Sequence, residues 1–377
     1  MSVVEYASDL IRFDSVSSKS NKPIADYLES FLKTRNFEVE RLEYEHDGTL
    51  KVNVIGRYGH GTGGLAYFGH TDVVPADDWS LSANGPFSPF VSQGKLFGRG
   101  STDMKGSIAC MLSAIDETDP QSLAQPLYVS FSADEEIGHL GIIKVAEQSK
   151  LFAELKTGNA FGIVGEPTNM QVIFAHKGGI VMSITSKGLA AHSSSHDGVN
   201  ANLKMIPFLQ DMKALHDETQ TNDKWKDDRF DPSTVCMNIG INDHTHAVNI
   251  KAAQSVCTIC IRPMPSTQYD ELVSRIRASA KKHDLLFETP FHNPPFARDP
   301  KSESIAQCIQ TVGGTPGTVG FGSEACNLDA VKDLVVLGPG DIAQAHKSDE
   351  WISLQQLQQG QTSYRDLITK FCQNPLQ

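Results

Sequence analysis

The chain has 377 residues, 40% hydrophobic and 21% charged, with a net charge of −12. That length predicts two domains, or one domain carrying a large insertion, because a single core rarely grows so large. An acidic chain without a Lys/Arg block lacks the footprint that holds a phosphate backbone, which argues against nucleic acid as a partner. Met1 to Phe13 mixes Glu5, Asp9 and Arg12 into its apolar residues, unlike a secretory leader. No apolar run approaches the roughly 18 residues that span a bilayer, so the expectation is a cytoplasmic protein without membrane contact.

In chain order, the first segment reads as a helix. A second is signalled by Asn21 as N-cap, Pro23 in the first turn, and Ile24, Leu28, Phe31 and Leu32 on one face. Alternating residues over Phe37 to Leu42 and Leu50 to Ile55 predict strands, then comes a Gly-rich turn at Gly59 to Gly64 and a short apolar strand, Leu65 to Phe68. Ile108, Met111, Leu112 and Ile115 predict an amphipathic helix. Further apolar strands are expected at Leu127 to Phe131, Phe161 to Val164 and Leu334 to Leu337. Buried strands alternating with helices define an α/β class, here a helix-covered central mixed sheet.

The middle of the chain reads differently. Strand (Ile180 to Ser186), helix (Asn200 to His216), a polar stretch (Asp217 to Asp231) read as a surface loop, two strands, a helix (Tyr269 to Lys282) and a final strand give the order βαββαβ. That is the α+β split-βαβ, ferredoxin-like arrangement, which folds as a small unit. The expected organisation is therefore a catalytic domain formed by residues 1–179 and 291–377, interrupted by an inserted domain at 180–290. The seven Cys are scattered and read as reduced thiols; Cys257 and Cys260 spell CxxC inside a predicted strand, where residues three apart face opposite sides.

The outer strands run directly into acidic residues and histidines. Leu65–Phe68 leads to His70 and Asp72, Leu127–Phe131 to Asp134, Glu135 and Glu136, Phe161–Val164 to Glu166, and Leu334–Leu337 to His346. Sites in open α/β sheets form at the carboxyl ends of strands. A single such residue is usually a solvated loop residue or a cap, but several strand ends delivering His, Asp and Glu together form a metal-site pattern. Two His with several carboxylates suit zinc, or else cobalt or manganese, and the number of carboxylates suggests two ions. Asp103, just before Met104, also reads as a helix N-cap.

The stretches Gly69-His-Thr-Asp-Val-Val-Pro75, Gly98-Arg-Gly-Ser-Thr-Asp-Met-Lys-Gly106, Ala133-Asp-Glu-Glu-Ile-Gly138, Gly165-Glu-Pro-Thr168 and Gln344-Ala-His-Lys347 resemble, in order and over nearly the whole chain, the site motifs of the acetylornithine deacetylase/succinyl-diaminopimelate desuccinylase family of zinc metallohydrolases. The resemblance implies a zinc aminopeptidase-like catalytic domain with an inserted lid and dimerisation domain, and hence a homodimer. It implies His70 and Glu166 as ligands of one metal, Glu136 and His346 as ligands of the other, and Asp103 as the bridge. Asp72 would orient the His70 imidazole, and Glu135 would be the general base. His192, in Gly188-Leu-Ala-Ala-His-Ser-Ser194, would stabilise the oxyanion from the partner protomer. Arg262 and Asn249 would grip a substrate carboxylate, with Ser323 a further substrate contact; the planar fork of Arg suits a carboxylate.

The activity so implied is hydrolysis of an N-acyl amino acid amide, acetylornithine deacetylation within arginine biosynthesis being the nearest form. Gly320-Phe-Gly-Ser-Glu-Ala325, His176-Lys-Gly178 and Asp47-Gly-Thr49 point that way. Ser348 after His-Lys, Ser323 in place of a common Thr, and the lack of Pro after His192 depart from the pattern and leave the substrate open among desuccinylase, aminoacylase and dipeptidase activities. A non-catalytic relative that binds metal as an interaction module is the reading from a different class. Retention of His70, Asp103, Glu135, Glu136, Glu166 and His346 weighs against it.

Overall fold

A computed structural model describes residues 1–81, 83–245 and 247–373. The chain divides into two compact units. The first comprises 1–174, 298–317 and 323–377, and the second 175–297 and 318–322.

In the first unit the central sheet has four parallel neighbours in the order Leu127–Ser132, Leu65–His70, Phe161–Val164 and Leu334–Val336. These strands are buried along their whole length, as expected for parallel strands covered on both faces, and so they are apolar runs rather than alternating ones. Antiparallel strands Thr49–Tyr58 and Glu38–His46 extend one side, and Ile173–His176 continues the other. Parallel pairing puts all four carboxyl ends at one edge: His70 lies opposite Ser132, and Phe68 opposite Val164.

The helix Lys105–Glu117 packs against Leu354–Ile368 and Val3–Ile11. It is buried from Lys105 through Ile115, and so is not the amphipathic helix that its apolar spacing predicts. Gly106, Ala109, Ser113 and Ala114 are the reason, since small side chains let neighbouring helices close over what would otherwise be a solvent face. Each large apolar side chain buried here, such as Leu112 or Phe371, is worth about 1.5–3 kcal/mol. The core carries a polar chain in which the Tyr67 and Tyr364 hydroxyls each lie 2.8 Å from Ser107 Oγ and Tyr364 donates to the Leu337 carbonyl.

Asn21 occupies the predicted N-cap position of helix Lys22–Thr34, yet makes no side-chain cap bond. Its amide instead pairs with both backbone groups of Val52 and donates to Thr71 Oγ1. A smaller sheet aligns Trp351–Ser353, Lys95–Phe97 and Phe90–Ser92, with Trp351 opposite Phe97.

The second unit runs Gly179–Lys187, Ala201–Thr221, Cys236–Asn242, Gln254–Arg262, Tyr269–Lys282 and Leu286–Asn293. Its antiparallel sheet has the order Cys236–Asn242, Gln254–Arg262, Gly179–Lys187, Leu286–Asn293, the split-βαβ topology expected from the element order. Cys257 is buried and Cys260 half-buried within one strand, both as free thiols. The polar stretch is not simply a surface loop. The helix continues to Thr221, and Trp225, Asp227 and Phe230 are buried. Trp225 Nε1 donates to Glu218, and Asp227 takes a two-pronged contact from Arg229, so local partners satisfy the polar groups while the rings fill the core.

Candidate metal centre

Three of the parallel strands and one helix start deliver pieces of the site. His70 closes strand Leu65–His70, Glu135 and Glu136 follow Leu127–Ser132, Glu166 follows Phe161–Val164, and Asp103 precedes helix Lys105–Glu117. Asp103 is not the helix cap considered from sequence, because the N-cap position falls on Met104 with no side-chain bond. Its carboxylate is instead shared between histidines: Oδ1 lies 3.0 Å from His70 Nε2 and Oδ2 lies 3.4 Å from His346 Nε2. His346 Nε2 is 3.1 Å from Glu136, and His70 Nε2 is 3.6 Å from Glu166. Among the described residues, two groups have donor atoms within 4.8 Å of one another, His70 with Asp103 and Glu136, and His70 with Glu135 and Glu166.

The electrostatics suit cations. Burial and the neighbouring Asp103 push Glu136 up to about 8 and Glu166 well above the carboxylate range. Asp103 is also buried, but its hydrogen bonds with His346 and His70 hold it below its usual value. Hydrogen bonds to Asp103 and Glu136 push His346 up to about 10. Glu166 Oε1 is buried without a hydrogen-bond partner. Four carboxylates in so small and dry a space repel unless positive charge is shared among them, and the mixture of imidazole and carboxylate donors fits borderline divalent ions.

The supporting contacts fix the loops. His70 Nδ1 lies 2.9 Å from the backbone oxygen of Asp72 and 3.7 Å from its carboxylate. The Asp72 oxygens are occupied elsewhere, accepting from the backbone N–H groups of Glu135 and Glu136 and from Ser17 Oγ. Asp134, His139 and His346 hold φ of 61°, 65° and 62°, conformations costing about 1–3 kcal/mol each that persist only where the surroundings impose them. Asp134 is held by Lys51, His46 and Tyr44.

Four neighbours were not singled out from sequence. His139 Nε2 lies 3.1 Å from Glu135 Oε1. Glu324 accepts from Ser132 Oγ, and burial pushes it up to about 7. Arg99 and Glu350 form a buried pair. Arg99 and His139 stand inside or beside recognisable motifs, but nothing in their spacing announces the contact.

Other expected site residues are placed as follows. Ser323 is fully buried, and its hydroxyl accepts from Ala325 N as a local cap. His192, Asn249 and Arg262 belong to the second unit. There the backbone joins two of them, since Ser193 N donates to the Asn249 carbonyl and His192 forms a bridge with Ile250. Arg262 is exposed at the end of its strand.

Residues 66–370 match the sequence profile of peptidase family M20/M25/M40, and the chain belongs to that family of metal-dependent hydrolases. Acetylornithine deacetylase of Proteus mirabilis (strain HI4320) is 31% identical over 372 residues, covering 95% of this chain and 92% of its own length. Acetylornithine deacetylase of Myxococcus xanthus is 30% identical over 379 residues, covering 97% and 96%. Among solved structures, the M20 metallo-carboxypeptidase of Sulfolobus solfataricus aligns with a TM-score of 0.76 at 16% identity, covering 98% of each chain. The Saccharomyces cerevisiae di-peptidase Dug1p aligns with a TM-score of 0.75 at 14% identity, covering 98% and 96%. These two speak for the fold. Among the described residues, no helix is long and apolar enough to cross a membrane.

Proposed function

We propose that this hydrolase is a two-zinc amidohydrolase that cleaves the amide of an N-acyl amino acid, with N2-acetyl-L-ornithine as substrate and ornithine and acetate as products, as a step of arginine biosynthesis in the cytoplasm. The observation that carries the reading is the Asp103 carboxylate, with one oxygen toward His70 and the other toward His346 inside a buried acidic cluster. The deacetylase names of relatives about 30% identical along almost the full chain support the substrate class.

In this reading His70 and Glu166 would hold one ion, Glu136 and His346 would hold the other, and Asp103 would serve both. Zinc, or cobalt or manganese in its place, would supply Lewis acidity to the amide carbonyl and lower the pKa of water toward neutrality. Glu135 takes the proton of the attacking water and returns it to the departing nitrogen, since an amine leaves only when protonated. Asp72 keeps Glu135 and Glu136 in place through their backbone N–H groups. Arg262 and Asn249 grip the free carboxylate of the substrate, and His192 from a partner protomer stabilises the developing oxyanion. A homodimer through the second unit is supported by the exposed apolar side chains Leu203, Ile206 and Ile241. Ser323, with its hydroxyl committed to a cap, is left out of the substrate set.

The test is a kinetic panel of acetylornithine, succinyl-diaminopimelate, simple N-acetyl amino acids and dipeptides, with metal content measured on the same preparation. Acetylornithine should give the highest kcat/KM at two ions per chain; a dipeptide or succinylated substrate in first place would reject the assignment. Mixing an inactive His192→Ala chain with an inactive Glu135→Ala chain should recover part of the activity, and no recovery would reject the shared site.

A further inference from the structure

The Arg99–Glu350 pair has no part in the chemistry above, yet its contacts converge on the loops that carry it. Both side chains are 1% exposed, with Arg99 Nη1 3.0 Å from Glu350 Oε2. Glu350 Oε2 also accepts from Gly100 N at 2.8 Å, and Oε1 accepts from Thr102 N at 2.9 Å and Asp103 N at 3.1 Å. Arg99 also donates to carbonyls, Nη1 to Lys347 O at 3.0 Å and Nη2 to Pro75 O at 3.1 Å, and its Nη2 lies 3.7 Å from the exposed Asp78 carboxylate. One buried pair thus touches the backbone beside Asp103, beside His346 and at the end of the stretch that carries His70. Strand pairing between Trp351–Ser353 and Lys95–Phe97 brings the two residues together.

Removing two charges from water is costly, and an apolar pair of similar volume would commonly serve stability as well. What an apolar pair could not do is receive three backbone N–H groups on one carboxylate and donate to two loop carbonyls from one planar fork. We infer that Arg99 and Glu350 are positioning residues that set the spacing between the Asp103 carboxylate and His346, and so govern affinity for the second of the two ions. The inference rests on the two-ion reading proposed above. His70 and Glu166 are seated at sheet strand ends and depend less on the brace. His346 sits on a loop with its side chain 53% exposed, and the brace is a principal tie for that loop.

The experiment is a zinc titration of the full-length, chelator-stripped protein, comparing wild type with Glu350→Gln and Arg99→Lys, alongside thermal melts of the metal-free forms. Glu350→Gln keeps volume but turns one acceptor into a donor facing backbone N–H groups; Arg99→Lys keeps the charge but loses the fork. In each variant the weaker binding event should lose about 10-fold or more in affinity, while the tighter one stays within about threefold of wild type. Excess zinc should then restore a share of turnover. Wild-type affinity at both events in both variants overturns the inference, and so does an equal loss at both events accompanied by a lowered metal-free melting temperature, which would mark a purely structural pair. If Glu350→Gln fails to fold, Arg99→Lys decides by the same criteria. Fewer than two zinc ions on the wild type would reject the two-ion reading itself, and the brace with it, whatever the variants show.

Discussion

Replacing Glu135 tests the chemistry most directly. Its backbone cannot follow a shortened side chain. Asp72 Oδ1 and Oδ2 hold the N–H groups of Glu135 and Glu136 at 3.1 and 3.3 Å, and Asp134 next door is held by Lys51 and His46 at 2.8 Å each. Glu135→Asp therefore withdraws the carboxylate by one bond, about 1.5 Å, from a position now 3.1 Å from His139 Nε2. Displacements of about 1 Å can cost 10²-fold in rate, which is the loss expected for this variant. Glu135→Ala removes the base and should lower kcat by about 10²–10⁴-fold, equivalent to about 3–5 kcal/mol of barrier at 1.36 kcal/mol per decade. The assay is steady-state kinetics on the best substrate of the panel, with zinc content measured on the same samples. KM and zinc content should change little, because Glu135 is assigned no ligand role. A Glu135→Ala chain with kcat within tenfold of wild type would refute the base assignment. Loss of one zinc would refute the division of labour, making Glu135 a ligand through its proximity to His70 and Glu166.

Chelator treatment should abolish turnover and leave the acidic cluster self-repelling; zinc restored at 100 times its Kd should stabilise the fold by about 2.7 kcal/mol for each ion bound, seen as a rise in melting temperature. An unchanged melt would contradict the electrostatic account. A Cβ at Gly165 would lie 2.4 Å from both Ser107 Oγ and Tyr67 Oη and 2.7 Å from Met104 Cε, so Gly165→Ala should cost about 1–3 kcal/mol in urea unfolding, with weaker zinc binding through the displaced Glu166. Two-pronged contact with Arg275 holds Glu218 down to about 2. A depressed carboxyl contributes stability above its usual 4.5 and loses it as pH falls through about 2. With the side chain 29% exposed, solvent screening limits this to about 1 kcal/mol or less. Glu218→Gln should therefore be less stable than wild type at pH 7, with the gap closing on acidification below the usual carboxylate range; a gap constant across that range would remove the ion pair from the account.

The succession of an α/β part and a βαββαβ middle segment was legible along the chain because apolar periodicity survives local noise. Runs such as Leu65-Ala-Tyr-Phe68 and Phe161-Gly-Ile-Val164 have the length and composition of doubly covered strands, and the βαββαβ order of the middle segment admits few topologies. The motifs also named which acids and histidines to watch, since His70, Glu135, Glu136 and Glu166 stand at or just past strand ends. Local pattern misled where a residue found a distant partner better than its neighbours. Asn21 serves Val52 and Thr71 rather than its own helix, Trp225 goes inward from a polar stretch, and helix Lys105–Glu117 is buried because two other helices need its small residues.

What sequence alone determined was therefore the succession of elements and which acids and histidines stand in the candidate site motifs, both read from stretches of a few residues. Tertiary structure alone decided that Asp103 offers its two oxygens to histidines 33 and more than 200 positions away, that Asp72 serves backbone amides with its carboxylate, and that Arg99 meets Glu350 across 251 positions. Such contacts follow from which strands lie side by side in the packed sheets, and that pairing is a property no local stretch of chain encodes.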